Sequence, residues 1–302
     1  MINVINKYLY KAFGQDVWRI GVSNTSFLKF ISEGELSIKW LEINKKNDYE
    51  ADPFVFEMNG MAYIAFEKFR YTHGNAKIHC VDINGKEYNF FSEINKVKGH
   101  KSFPYIFHDD CNVYCIPETS DLNAILLYKF NNEKAKFILE KKLLLNGEFI
   151  DSFVYEHNEV YYLFTSRVTT PYRLELYTAS SLYEEFKKHT SSPITDDACH
   201  GRNAGGIIKE NDSLYRVAQN CSKTYGGSIS IRKIEKLAPD AYQEVSFTEI
   251  EPLPPYSKGI HTLSYINNMV VIDGKCERFS MKNLFRKVMY KNLKKNGIEI
   301  DF

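Results

Sequence analysis

The stretch Asp52-Pro-Phe-Val-Phe56, a turn at Asn59-Gly60 and then Ala62-Tyr-Ile-Ala-Phe-Glu67 decides the fold. It reads as a short apolar strand, a polar turn, and a second strand that carries large side chains and ends on a polar group. Aromatic and β-branched residues suit such a half-buried pleated surface. The same unit returns as Ser102-Phe-Pro-Tyr-Ile-Phe107, a turn near Asp109-Asp110, and Val113-Tyr-Cys-Ile-Pro-Glu118. A third copy is Asp151-Ser-Phe-Val-Tyr155, His157-Asn158 and Val160-Tyr-Tyr-Leu-Phe-Thr165. The fourth is Asn203-Ala-Gly-Gly-Ile-Ile208, Asn211-Asp212 and Leu214-Tyr-Arg-Val-Ala-Gln219. The fifth is Ile260-His-Thr-Leu-Ser-Tyr265, Asn267-Asn268 and Met269-Val-Val-Ile-Asp273.

The strand-end residues Glu67, Glu118, Thr165, Gln219 and Asp273 lie 51, 47, 54 and 54 positions apart. A period near 50 is that of a four-stranded propeller blade. Third strands follow at 77–81, 124–128, 174–177 and 228–231, and fourth strands fit 88–91, 137–143 and 242–247. The fifth copy has two strands before the chain turns basic. Its missing pair is supplied by the N-terminus, at 17–22 and 37–43, which closes the ring and removes exposed sheet edges. The expectation is an all-β, five-bladed β-propeller closed by N-terminal strands, with a short C-terminal basic helix. A β-sandwich remains compatible with the same strand content. No linker rich in Pro, Gly or Ser divides the chain, so the propeller is assigned to 1–279 and the tail to 280–302.

Composition narrows the class. The chain holds 21 Tyr, 21 Phe and only 9 Pro, a mixture that favours strands, and its 44% apolar fraction builds a sizeable core. A formal charge of +1 gives no reason to expect a nucleic-acid partner. Residues 1–12 lack the unbroken apolar core of a signal peptide, and no run approaches a membrane span. Six scattered cysteines without ligand-like pairing suit a reduced, cytoplasmic protein. In the tail, Met281, Leu284, Phe285, Val288, Met289 and Leu293 recur at helical spacing among Lys282, Arg286, Lys287, Lys291, Lys294 and Lys295. Such a helix either packs its apolar stripe on the propeller or lies on an anionic membrane as a peripheral contact.

Repeat-equivalent polar residues converge at one mouth of a propeller. Asp52, Glu118 and Asp151, from three consecutive blades, are the candidate catalytic carboxylates. Glycosyl chemistry needs one carboxylate as base or nucleophile and a second, with a raised pKa, to protonate the leaving oxygen. Glu67 and Asp273 can substitute for any of them. Arg202 and His261 are read as contacts to an anionic substrate group, since a guanidinium holds carboxylates and phosphates at two points. The same Arg202 reads equally as a structural partner of Asp151 or Glu118. Gly205 and Gly206 allow backbone to approach a ligand or form a bulge. His100, Ser102, Gln219 and Tyr225 complete the candidate substrate contacts, with Tyr225 placed to stack on a sugar. Each also reads blandly, as a solvated strand end or a packing residue. No HExxH, CxxC, P-loop, GxGxxG or GxSxG motif is present, so no cofactor and no transition-metal site is expected, while a single cation in the axial channel stays open.

The segments ADPFVF (51–56), HKSFPYIF (100–107), YCIPETS (114–120), GRNAGGII (201–208), LYRVAQNCSKTYG (214–226), IHTLSY (260–265) and VVIDG (270–274) together resemble a known family. They resemble the N-terminal domain of plant glucosamine inositolphosphorylceramide transferases and its free-standing bacterial relatives, over roughly residues 17–278. The resemblance implies a five-bladed propeller akin to glycoside hydrolase families 43 and 32, working in capsule or lipopolysaccharide synthesis. In family 43 hydrolases a base Asp, a pKa-tuning Asp and an acid Glu do the chemistry, and Asp52-Pro53 is similar to the base position. The combined expectation is glycosyl transfer from a sugar donor to a glycan or lipid-linked acceptor, with hydrolysis or non-catalytic glycan binding as rival outcomes.

Overall fold

The computed structural model describes residues 9–33, 37–41, 48–71 and 74–295. The chain enters through β1 (Gly14–Asn24), a short helix α1 (Phe27–Ser32) and β2 (Lys39–Trp40). Blade one follows as β3 (Tyr49–Met58), β4 (Met61–Arg70) and β5 (Asn75–Asp82). Helix α2 (Ser92–Lys96) leads into blade two, which is β6 (Ser102–Asp109), β7 (Asn112–Glu118), β8 (Ala124–Asn131) and β9 (Lys136–Leu145). Blade three is β10 (Phe149–His157), β11 (Val160–Arg167), β12 (Thr170–Ala179) and β13 (Lys187–Lys188), with β14 (Thr195–Asp196) also on β12. Blade four is β15 (Arg202–Glu210), β16 (Ser213–Asn220), β17 (Ser228–Ala238) and β18 (Ala241–Ile250). The last strands, β19 (Leu263–Ile266) and β20 (Met269–Phe279), precede helix α3 (Met281–Lys295).

The ring closes as the repeats require. Blade five has the order β19-β20-β1-β2, and β1 pairs with β20 without a break from Gly14↔Phe279 to Asn24↔Met269. Four of the expected inner hairpins turn on left-handed residues: Asn59 and Gly60, Asn158 and Glu159, Asn211 and Asp212, and Asn267 and Asn268 all have positive φ. Asn, Asp and Gly tolerate that region, and its twist matches the flanking strands.

Two readings change. The stretch 88–91 is not a fourth strand: among the described residues blade one has three, with a lone bridge Val81↔Glu87 beyond β5. Phe90 and Phe91 are buried and Tyr88 half-buried, all packed on Phe56, Tyr63, Phe130 and Phe137. Three rings within four residues serve a wedge between blades better than an alternating strand. In the N-terminal stretch 37–43, β2 is only two residues long, and 42–43 lie outside the described residues.

The core consists of apolar wedges between neighbouring blades, such as Tyr114, Leu127, Phe149 and Leu163 between blades two and three. Near the axis, Phe54, Phe103, Tyr105 and Phe153 come from three blades and meet edge-to-face or tilted at 4.8–5.8 Å. The Tyr105 hydroxyl donates to the Val154 carbonyl at 2.9 Å, which satisfies its polar tip. These rings belong to one apolar cluster next to the bulged strand ends.

Candidate functional site

The innermost strands of blades one to four each carry an irregularity at the same level, between Ala51/Phe54, Ser102/Tyr105, Ile150/Phe153 and Asn203/Ile207. The extra residue bends the strand and re-aims a side chain. In three blades the first bulged residue is left-handed: Asp52 at φ 50°, Phe103 at 42° and Asp151 at 48°. Holding non-glycine residues there costs on the order of 1–3 kcal/mol each. The acids of neighbouring blades offset that cost by accepting the exposed amides. Asp273 Oδ2 takes the Asp52 N–H at 3.2 Å, and Glu118 Oε2 takes the Asp151 N–H at 3.1 Å. In blade four the bulge contains Gly205 and Gly206. A side chain at Gly205 would meet the Leu263 carbonyl at 2.2 Å, and one at Gly206 would meet the Tyr105 ring at 2.6 Å. These glycines admit protein neighbours, not a ligand.

Asp273 is the keystone of one half of the funnel. It has no exposed surface, and its Oδ1 accepts the amides of His261 (2.9 Å) and Thr262 (3.1 Å). The His261 ring lies between two carboxylates. Its Nδ1 is 2.5 Å from Asp273 Oδ2 in an ion pair that is poorly aligned for a hydrogen bond, and its Nε2 is 3.4 Å from Asp52 Oδ1. Burial alone would lower the His261 pKa, but Asp273 and then Asp52 outweigh it, and the net shift is upward. Asp52 also receives the Thr262 hydroxyl at 2.9 Å and the Phe103 N–H at 3.2 Å. Burial pushes Asp52 up to about 7, helped by Glu67, Asp273 and Asp151 and opposed by His261. Asp52, His261 and Asp273 are also the described residues with ligand atoms close enough for one metal ion, all within 4.8 Å. A cation there would compete with the His261 proton for the same space.

The other half joins Glu118, Asp151, Arg202 and Tyr225. Arg202 Nε donates to Asp151 Oδ2, and the guanidinium lies 5.1 Å from the centroid of the half-exposed Tyr225 ring. Burial first, and then the Asp151 charge, push Glu118 up to about 8, although Arg202 and His100 pull the other way. Below Arg202, Gln219 is buried and spends its amide N–H on the Asn203 carbonyl at 2.8 Å, while Asn203 Nδ2 donates to the Asp151 carbonyl at 2.8 Å. Gln219 therefore braces the wall where the sequence suggested a substrate contact. Glu67 accepts from the Tyr49 hydroxyl and faces His100 Nε2, both at 3.2 Å. Ser102 is buried opposite Glu118 in the β6–β7 ladder.

The contacts above gather these residues in one polar layer, with Asp273, Gln219 and Ser102 buried in its wall, and others join them. Trp18 stacks on His261 with centroids 4.0 Å apart, Lys275 sits 5.2 Å over the Trp18 ring, and Lys275 Nζ donates to the Tyr225 carbonyl at 3.3 Å. Thr262 and Tyr49 contact the acids directly. The only advance signal for Trp18 was its place in the closing strand β1, and for Lys275 its position two residues past Asp273. The arrangement can move protons at two carboxyl groups and hold an anion beside Arg202, under one open aromatic face.

Comparison with known sequences and structures bears on what such a funnel handles. A family profile described as "Glucosamine inositolphosphorylceramide transferase 1, N-terminal" matches residues 38–256. The chain belongs to this family. Glucosamine inositolphosphorylceramide transferase 1 of Arabidopsis thaliana is 29% identical over 211 residues, and that of Oryza sativa subsp. japonica 27% over 208. Each alignment takes in 66% of this chain but only 27% and 28% of the relative, so the chain spans about a quarter of their length. Among solved structures, the exo-β-1,3-galactanase 1,3Gal43A of Clostridium thermocellum superposes with a TM-score of 0.54 at 13% identity, covering 73% of this chain and 57% of that one. A thermostable family-43 glycoside hydrolase gives 0.52 at 15% identity, covering 73% and 84%. These likenesses show the five-bladed fold.

Proposed function

We propose that the funnel binds an activated sugar and transfers it to a glycan or lipid-linked acceptor during assembly of a bacterial surface glycan, on the cytoplasmic side of the membrane. The observation that carries this reading is the placement of Asp52, buried, and Glu118, half-buried, in one polar layer with the Asp151–Arg202 pair, surroundings that raise the two carboxyl groups to about 7 and about 8. Groups poised near neutrality are those that exchange protons efficiently at working pH. In this scheme Asp52 takes the proton of the acceptor hydroxyl as its oxygen bonds to the anomeric carbon. The bond from that carbon to the donor's leaving oxygen breaks, and Glu118 gives that oxygen its proton. Arg202 turns its unspent nitrogens to the anionic part of the donor, and Tyr225 lies against a sugar face. Names of the plant relatives support transfer.

The fold neighbours support a second reading, hydrolysis, in which water replaces the acceptor hydroxyl at the same two carboxyls. A third, non-catalytic outcome is a funnel that only holds a glycan. The test is a thermal-shift panel of nucleotide sugars and free glycans on the native chain and on Arg202→Ala, followed by turnover with the Glu118→Gln variant beside the native protein. Stabilisation by a nucleotide sugar that is lost in Arg202→Ala is the expected result. Release of sugar from nitrophenyl glycosides without any nucleotide donor would replace transfer by hydrolysis. Glycan binding that survives in Glu118→Gln with no turnover in either protein would leave a binding module.

A further inference from the structure

Among the described side chains of helix α3, two polar ones turn to the protein and three apolar ones to solvent. Asn283 is buried and its Nδ2 donates to the Phe13 carbonyl at 2.8 Å. One turn on, Lys287 Nζ donates to the carbonyls of Lys11 (3.1 Å) and Gly14. On the far side Met281, Phe285 and Val288, spaced i, i+4 and i+7, are 65%, 73% and 50% exposed, and Phe279 just before the helix is 61% exposed. These three residues of the stripe are not packed on the propeller, while Leu284 is half-buried. Between Ser280 and Asn296 the sequence has Lys282, Arg286, Lys287, Lys291, Lys294 and Lys295 and no acidic residue.

The root of the helix lies toward the mouth end of the strands. Strand β20 passes the funnel at Asp273 and runs on to Phe279, about 20 Å at a strand's rise of roughly 3.3 Å per residue. Its partner β1 runs alongside, with Asp16 opposite Glu277. The hydroxyl of Tyr71, at the mouth end of blade one, donates to the Asp16 carbonyl. Tyr49, which touches Glu67 in the funnel, meets Tyr71 edge-on at 5.8 Å. A continuous set of contacts therefore joins the mouth to the root of α3.

We propose that the outward face of α3 docks on an anionic lipid bilayer and turns the funnel mouth toward it. An apolar stripe flanked by cations matches the boundary between acyl chains and negatively charged headgroups. A second copy of this chain is the poorer occupant, because it would bring one cationic helix against another. The inference rests on the proposed function only in making the acceptor lipid-linked, and lipid binding is measured without turnover.

The experiment is flotation of the full chain with vesicles of phosphatidylcholine plus phosphatidylglycerol, against phosphatidylcholine alone. The native chain floats with the anionic vesicles and is released by salt. Phe285→Gln with Val288→Gln lowers partitioning by about tenfold or more, and Lys282→Ser by about fivefold. Both variants keep the native melting temperature, since the altered side chains are exposed. Equal binding to both vesicles, or native-like flotation of the double variant, overturns the proposal. So does a native dimer that the double variant makes monomeric, which would name a second copy as the occupant. Donor binding in the funnel, followed by thermal shift on the same proteins, fails or succeeds separately.

Discussion

Replacing Asp273 by Asn changes one oxygen to an amide nitrogen and should destabilise the whole ring. The wild-type carboxylate has no exposure to water and is met by three amides, from His261, Thr262 and Asp52, and by the His261 imidazole. Asparagine keeps one acceptor oxygen, which can serve the His261 and Thr262 amides. Its NH2 then points at the Asp52 N–H and at His261, leaving two donors without an acceptor. Hydrogen bonds to a charged group contribute about 1.5–3 kcal/mol each, and breaking a buried ion pair from one side costs about 3–5 kcal/mol. A loss of about 4 kcal/mol is the consistent value. An unfolding entropy near 2.1 cal/mol/K per residue amounts to about 0.6 kcal/mol/K for a chain of this length, so melting falls by roughly 6 °C.

Scanning calorimetry at pH 6 is the assay, with Asp273→Ala and Asp196→Asn beside it. Asp273→Ala removes both acceptors and falls further than Asn, whereas Asp196, on the exposed strand β14, leaves melting unchanged. The reasoning is refuted if Asp273→Asn melts within about 2 °C of the native chain, or if Asn and Ala cannot be told apart. Either result would mean that the Asp52 bulge holds its left-handed backbone without the carboxylate.

Three further outcomes follow from the same geometry. Stability should fall from pH 5.5 to 8.5: His261 and His100 are raised in the folded chain, so their stabilisation is complete below about 6.5 and lost as pH climbs through the folded values. Asp52 and Glu118, raised to about 7 and 8 from ordinary values of 3.8 and 4.5, add to the fall because the folded chain resists their ionisation. Glu244, held down to about 2 by Arg216 against burial, contributes in the opposite sense only as pH drops below about 4.5, and melting measured at constant ionic strength should therefore peak in mild acid. Asp52→Asn should fold, flatten that alkaline decline and abolish turnover; an unchanged slope of melting temperature with pH would disprove the assignment of the burial penalty to Asp52. Arg202→Met should cost about 3 kcal/mol, the lower end for a broken buried pair because the guanidinium keeps some solvent, and chemical denaturation showing less than about 1 kcal/mol would mean Asp151 finds water instead.

The ring itself was legible because each hairpin states its own turn. Asn59-Gly60, Asn211-Asp212 and Asn267-Asn268 can hold left-handed dihedrals, and the strands either side alternate. The closing blade was legible for a different reason: two strands were missing at one end of the chain and two were spare at the other. Blade one's fourth strand was misread because Tyr88, Phe90 and Phe91 look like strand filler, and only the wedge against Phe137 makes them core. Repeat position likewise brought the polar residues to one mouth without saying what each does there. That depends on the bulges at Asp52, Phe103 and Asp151, which no local propensity favours.

Those bulges tie the bland and the functional reading of the strand ends together. Glu118 and Asp273 do brace the backbone, each catching the amide of a left-handed aspartate one blade away. Yet the bracing is what crowds carboxyl groups into one largely buried layer beside the aromatic cluster of Phe54, Phe103, Tyr105 and Phe153. Crowding and burial then raise Asp52 and Glu118 toward neutrality. At the Glu118 position a strand end built only for stability could use an amide, as at Gln219, which braces Asn203 with no charge to bury. Blade four shows that the fold can make that choice; blade two, with Glu118, does not, and in blade five Asp273 needs both carboxylate oxygens for the three amides it holds. Glu118 is the part of this layer that stability alone leaves unexplained, and the proton chemistry proposed for the funnel needs it.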